Sequence, residues 1–459
     1  MMKWQKLLTI FLISIICMFA LKLFNPGKNK HQIKLEETKF QVDEFTLDNG
    51  MDVLVIPNHR VPAVMHMVWY KVGGIDEKLG KTGLAHYLEH LMFHGTKKYP
   101  KDELDNMVSE FGGSHNAFTS YDFTAYYQNV PKDYLEQVMD VEADRMRNLV
   151  LEEKKTKVER NVVLEERLMR RDNSPRAVLG EKVREALVGK EHPYGRPLIG
   201  YEDDISGLTH QEALDFYDKY YYPNNAILVL AGDISKEEAK PLAEKYYGVI
   251  AKGPELEITM AEERERVIKD KVVHKDKNTS NVEIKIAYLA PDLLSRHKEH
   301  AHALSLVSYL LAETKNSILY KKLVVEEDLA LSVSSSYSDM SRGQSFFEIS
   351  VVLKDPKNEE QVLKYIDDAL EGLSLGSLQK DSFNRAKNLF LIESVYGKES
   401  YKSLAYMVGM HYATTIPLED ILNWDEEIMK VTREDIFAAS AFVFQKDKKV
   451  MGYLLPDND

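Results

Sequence analysis

The order of predicted elements along this 459-residue chain is written twice. Residues 45–56 read as a hairpin around Asn49-Gly50, a pair suited to the positive φ angles of a tight hairpin turn, and residues 63–72 as a buried strand. A helical stretch over 81–94, a short helix near 102–111, a strand pair within 114–130 and long helices from 131 to 171 follow. A capped helix and the strand 225–232 close this half. From about residue 281 the series begins again, with a strand at 282–289, helices to 323, strands at 330–337 and 345–353, several helices and a last strand at 449–455. Thr209 with Glu212 and Thr432 with Asp435 each place an N-cap hydroxyl and an acid three residues on, before the last helix of each half. The repeat predicts an α+β fold of two duplicated domains, each a mainly antiparallel sheet packed with helices. Residues 41–250 are expected to form the first domain and 272–459 the second. The polar stretch 251–271, with Gly253-Pro254 and a charged tract, suits the linker.

Ahead of the first domain, Lys3 and Lys6 precede an apolar run over residues 7–20, broken only by Thr9 and Ser14. This layout predicts export, with residues 1–30 a signal peptide or, because Leu21, Leu23 and Phe24 lengthen the run, a membrane anchor. In a bacterium the chain would then be periplasmic or attached to the outer face of the inner membrane. A formal charge of -13 excludes a general nucleic-acid binder, which needs clustered Lys and Arg. It favours basic peptides over acidic ones at low salt. The one cysteine, Cys17, excludes a disulfide framework and a thiolate metal cluster, so any metal must be held by His, Asp or Glu.

His86 and His90 lie four residues apart in a helical stretch, which puts both imidazoles on one face about 5–6 Å apart. That spacing chelates one ion, and Glu89 sits beside it where a carboxylate faces the water completing the shell rather than the ion. An amphipathic core helix with two partly buried histidines is the alternative, since Leu84, Leu88, Leu91 and Met92 supply an apolar face. A hydrolytic zinc site needs a third protein ligand. In the helix over 152–171, Glu159, Val162, Val163 and Glu166 form one stripe, and carboxylates on such a stripe are costly unless paired or metal-bound. Glu166 is therefore the expected third ligand, with Glu165 exchanging places if the helix phase slips by one residue. Glu159, about 10 Å away along the axis, would instead accept a hydrogen bond from a ligand histidine. His94, next to Gly95 at the helix end, is expected to meet the terminal carbonyls. His297, His300 and His302 have the wrong spacing for a ligand set and read as a solvated helix start.

Beyond these residues, segments 47–51, 80–96, 112–119 and 159–166 together resemble the insulinase/pitrilysin family of zinc peptidases, in its processing-peptidase-like subgroup of half-length chains. The resemblance implies one Zn2+ per chain on His86, His90 and Glu166, with Glu89 as general base and Glu159 behind the ligands. It also implies that Asn116, Ala117 and Phe118 lie on an edge strand that grips extended substrate. Active full-length relatives carry an arginine and a tyrosine seven residues apart in the second half, where this chain has Val324 and Leu331. The missing donors are therefore expected from a paralogue in a heterodimer, with donors of this chain such as Tyr337 and Arg342 as the alternative; a homodimer is possible but would not restore the pair. The chain is expected to be a zinc metalloendopeptidase acting on peptides or unfolded proteins. The alternative is a non-catalytic scaffold or peptide-binding subunit of a larger assembly.

Overall fold

Two sheets organise the protein, and a computed structural model describes residues 39–457 of it. The leader expected over 1–30 lies outside the described residues. Among those described, no helix is long and apolar enough to cross a membrane. The first sheet contains β1 (Asp43–Thr46), β2 (Asp52–Pro57), β3 (Ala63–Tyr70), β4 (Ser114–Thr119), β5 (Thr124–Pro131) and β6 (Ala226–Gly232), in the order β1-β2-β6-β3-β5-β4. The second contains β7 (Lys271–Asp276), β8 (Glu283–Ala290), β9 (Ala330–Tyr337), β10 (Ser345–Leu353) and β11 (Lys449–Pro456), in the order β7-β11-β8-β10-β9. Each sheet is antiparallel except for one parallel pair, β2 with β6 and β11 with β7, at matching places in the two orders. The α+β fold with a duplicated sheet is thus observed.

Local chemistry accounts for most elements. Gly50, at a φ of 88°, turns β1 into β2, and the Asn49 side chain anchors that turn to the carbonyls of Tyr247 and Ile250. Thr209 and Thr432 both head reciprocal capping boxes. The first precedes β6, and a further helix, Lys236–Tyr246, follows that strand behind its own box at Ser235 and Glu238. β7 escaped the sequence reading because its alternation runs through Lys271, Lys275 and Asp276 at the end of the charged tract.

Each half lends a helix to the other. Helix Pro175–Val188 packs Leu179, Val183 and Leu187 against Ala287, Val450 and Leu454 of the second sheet. Helix Tyr401–Ala413 packs Leu404, Ala405 and Val408 against Leu54, Met67, Trp69 and Val229 of the first. Helix Leu84–Leu91 and its neighbours cover the opposite face of the first sheet, so β3 and β6 are buried on both sides and read as near-continuous apolar runs. Two glycines permit the exchange. A Cβ on Gly409 would stand 2.3 Å from Trp69 Cε2, and one on Gly452 would stand 2.5 Å from Val183 Cγ2. Residues 251–270 form neither helix nor strand, yet Thr259 donates to Asp76 of the first half while Ala261 N–H donates to Arg342 O of the second. The connection is therefore bound to both halves.

Candidate metal centre

His86 and His90 stand one turn apart on the helix Leu84–Leu91, whose start is held firmly. Gly83 enters it at a φ of 85°, where a Cβ would stand 2.4 Å from Ile199 O. The Glu77 carboxylate accepts the N–H groups of Gly83 (2.9 Å) and Ala85 (2.8 Å), which would otherwise be orphaned at the helix end. Burial pushes this carboxyl up to about 8, against the pull of those two donors. Leu84, Ala85, Leu88 and Leu91 turn to the core, while His86, Glu89 and His90 line a cleft. The Tyr87 hydroxyl donates to Thr156 O (2.5 Å) and ties this helix to the helix Glu153–Arg167.

That second helix carries the carboxylates. Glu166 Oε2 lies 3.0 Å from His90 Nε2 and 3.7 Å from His86 Nε2, while Oε1 lies 2.6 Å from Arg170 Nη1. Glu165 is exposed on the outer face with Val158, Val162 and Met169. Glu159 reaches both His90 Nδ1 (3.0 Å) and His94 Nε2 (3.1 Å). His94 therefore meets a half-buried carboxylate, contrary to the carbonyl contacts expected of it, because the chain continues past Leu91 as a 3-10 turn, Met92–His94, that points the ring back to Glu159.

The donor set fits a divalent cation. One donor atom from each of His86, His90 and Glu166 lies within 4.8 Å of the other two. Zinc bonds to such ligands run ~2.0–2.2 Å, so closing on one ion asks only small side-chain shifts. The electrostatics agree. Burial pulls the His90 ring down, but hydrogen bonds to Glu159 and Glu166 more than offset it and raise it to about 9. Glu159 is held at about 2 by its two histidines, and Glu166 is lowered by His90. His86 is lowered by burial and by His90 beside it. Carboxylates that hold a proton on His90 supply the negative charge that a bound cation neutralises.

Glu89 is buried next to this cluster, and Thr119 Oγ1 donates to its Oε2 at 2.5 Å. Burial lifts the Glu89 carboxyl, an effect partly offset by Thr119 and His90. Thr119 ends β4, the outermost strand of the first sheet, whose Asn116, Ala117 and Phe118 line the same cleft. The Ala117 N–H is taken by Asn116 Oδ1 at 2.9 Å. Sequence reasoning missed Thr119, Lys101 and Arg171 among the lining residues, because nothing in their local spacing distinguishes them from surface positions. The histidines at 297 and 300 pack on Phe442 and join no ligand group among the described residues.

No residue of the second half lines this cleft among the described residues; the lining runs from His86 to Ile199. Val324 packs half-buried against the second core, and Leu331 is exposed on β9. Tyr337 donates to Pro291 O. Arg342 is wholly buried between the halves, 3.6 Å from Asp76 Oδ2 and 3.3 Å from Ala413 O. Neither alternative donor lines the cleft.

Comparison with known proteins points to one peptidase family. The family model described as Insulinase (Peptidase family M16) matches residues 52–202, and the model described as Peptidase M16 inactive domain matches residues 207–390. The zinc protease PqqE of Helicobacter pylori is 30% identical over 419 residues, covering 90% of this chain and 93% of that protein. The crystal structure of a protease from Helicobacter pylori superposes with a TM-score of 0.83 at 27% identity, covering 91% of this chain and 100% of the other. The periplasmic protease PqqL from Escherichia coli shares the fold at a TM-score of 0.74 and 18% identity, with 90% of this chain matching 47% of that one.

Proposed function

The chain belongs to the insulinase family, peptidase family M16, and we propose that it is a zinc-dependent endopeptidase that hydrolyses peptides held in extended form. The observation that carries this reading is the convergence of His86, His90 and Glu166 in one cleft, with Glu89 buried beside them. Relatives named as zinc proteases support it.

His86, His90 and Glu166 would hold the ion, the three-ligand pattern that leaves a position for solvent in hydrolytic sites. Bound zinc supplies Lewis acidity, polarising a carbonyl oxygen and easing proton loss from water. Glu89 accepts the proton of the attacking water on Oε1, because Oε2 is engaged by Thr119, and delivers it to the nitrogen of the leaving amine. Glu159 fixes the ring of His90 through Nδ1, so that Nε2 faces Glu166. Arg170 binds one oxygen of Glu166 and leaves the other for the ligand cluster. An extended peptide adds as a further strand beside β4, along Asn116, Ala117 and Phe118. The Asn116 amide, which now occupies the Ala117 N–H, gives way to a peptide carbonyl. Main-chain pairing of this kind suits unfolded segments and excludes folded ones.

The lining of the cleft by one half alone, with Val324 and Leu331 unable to donate, extends the proposal to a heterodimer with a paralogue that brings an arginine and a tyrosine. A homodimer would not restore the missing pair. Export across a bacterial inner membrane, by a cleaved leader or an anchor, completes the reading and agrees with the periplasmic protease that shares the fold. The test is zinc analysis of the purified chain, then cleavage of an unstructured peptide with and without chelator and with and without the paralogue. Chelator-sensitive cleavage is expected, stronger with the paralogue. Zinc-loaded protein that cleaves nothing in either form would leave a scaffold or peptide-binding subunit instead.

A further inference from the structure

We propose that the cleft selects peptides with acidic side chains close to the bond that is cut, and that Lys101 and Arg171 read them. This deepens the peptidase reading and rests on it. Apart from histidines, the charged residues lining the cleft are Glu89, Glu159, Glu166, Lys101, Arg170 and Arg171. Glu159 and Glu166 are ion-paired, and Glu89 is hydrogen-bonded through one oxygen only. Glu89 is bonded to Thr119, Glu159 to His90 and His94, and Glu166 to His90 and Arg170. Arg170 is thereby partnered as well. Lys101 and Arg171 remain without an ion-pair partner among the described residues, so apart from the open oxygen of Glu89, the proposed proton acceptor, the unpaired charges that the cleft offers a ligand are positive.

The two cations come from separate segments that border the catalytic groups. Lys101 precedes the helix Glu103–Glu110, which packs against β4. Arg171 lies in the π-helical turn Leu168–Asp172 just beyond Glu166 and lines the cleft together with Asn116, Ala117 and Phe118 of β4. A carboxylate side chain on a peptide beside β4 meets attraction there, and a lysine or arginine meets like charge. The overall charge of -13 acts the other way at long range. At physiological salt, however, screening over ~8 Å leaves contact pairs in the cleft to decide selectivity. The local charges thus reverse the preference for basic peptides that net charge suggested.

The test uses the full chain carrying Glu89→Gln and fluorescent unstructured peptides of equal length with Glu, Gln or Lys at the positions flanking one bond. Binding read by anisotropy needs no turnover, so a failure of the selectivity is told apart from a failure of the peptidase reading. The Glu peptide is expected to bind roughly fivefold tighter than the Gln peptide, as for one exposed charge pair. The gap should narrow at high salt. Lys101→Glu and Arg171→Glu should each shrink it, and together they should make the Lys peptide the tightest. Equal binding of the Glu and Gln peptides, or an order unchanged by the double reversal, would overturn the proposal. Acidic preference without turnover in the parent protein would uphold the selectivity and remove the peptidase assignment.

Discussion

His90 Nδ1 lies 3.0 Å from Glu159 Oε1, and the other oxygen of that carboxylate lies 3.1 Å from His94 Nε2. One glutamate thus orients a proposed ligand ring and is itself held by a second imidazole. Glu159→Ala should weaken zinc binding or activity by ~10–100-fold, the usual cost of losing such a partner. His94→Ala, which leaves the bond to His90 intact, should cost less. Competition against a calibrated chelator measures both, and equal losses would mean that His94 is more than a support for Glu159.

Glu165 and Glu166 differ by one helical position and face opposite environments, one exposed on the outer face and one within reach of both histidines. Glu166→Ala should abolish stoichiometric zinc, while Glu165→Ala should leave metal content and activity near those of the parent. Metal analysis of the two purified variants decides between them.

Glu89→Gln removes the proposed proton acceptor and keeps the side chain's size. Zinc content should be unchanged and kcat should fall by ~10²–10⁴, the range for general acid–base groups. A variant that cleaves peptides at the parent rate would remove the role given to Glu89.

The exchanged helices depend on two glycines. Gly409→Ala drives a Cβ toward Trp69, and Gly452→Ala drives one toward Val183, so each should destabilise the fold by ~1–3 kcal/mol through overpacking. Gly180 lies within the helix Pro175–Val188 and has nothing within 4 Å of its would-be Cβ. Gly180→Ala should therefore stabilise by up to ~1 kcal/mol. Denaturant melts of the three variants make the comparison.

His66 titrates against folding. Its Nδ1–H donates to Gln128 Oε1 (2.6 Å), since the Gln128 amide nitrogen is spent on Glu142, and its Nε2 accepts from Tyr247 (2.8 Å). Burial lowers this imidazole below its usual range, although Glu142 and Gln128 pull the other way. The folded ring stays neutral while the unfolded one takes a proton below ~6.5. Its contribution is complete above that pH and is lost as pH falls below it. Thermal melts from pH 7 to 5 should show a decline that is less steep in His66→Gln, whatever that variant's stability at pH 7. Parallel declines would assign the acid sensitivity to other groups.

Most of the strands were legible because period-two alternation and apolar runs are local signals, as at β3, β6 and β8. β7 was not, because its apolar residues sit among lysines on an edge strand. The exchange of helices was not legible either. Val183 and Val408 look like ordinary core positions, and nothing in their neighbourhood says whose sheet they cover. The same holds for Arg342, a nearby donor by sequence and a wholly buried strut between the halves in three dimensions.

What the sequence determined by itself is whatever lies within a turn or two of chain: the shared face of His86 and His90, the neighbouring position of Glu89, the capping boxes and the repeated order of elements. Helix and strand periods are set by backbone geometry, so spacing alone carries them. Only the tertiary structure decided that Glu166 turns inward and Glu165 outward, that Thr119 grips Glu89, that Glu159 joins His90 to His94, and that Lys101 and Arg171 line the cleft without an ion-pair partner. Those relations join residues tens of positions apart, and they are set by how apolar faces bury one another rather than by any local preference.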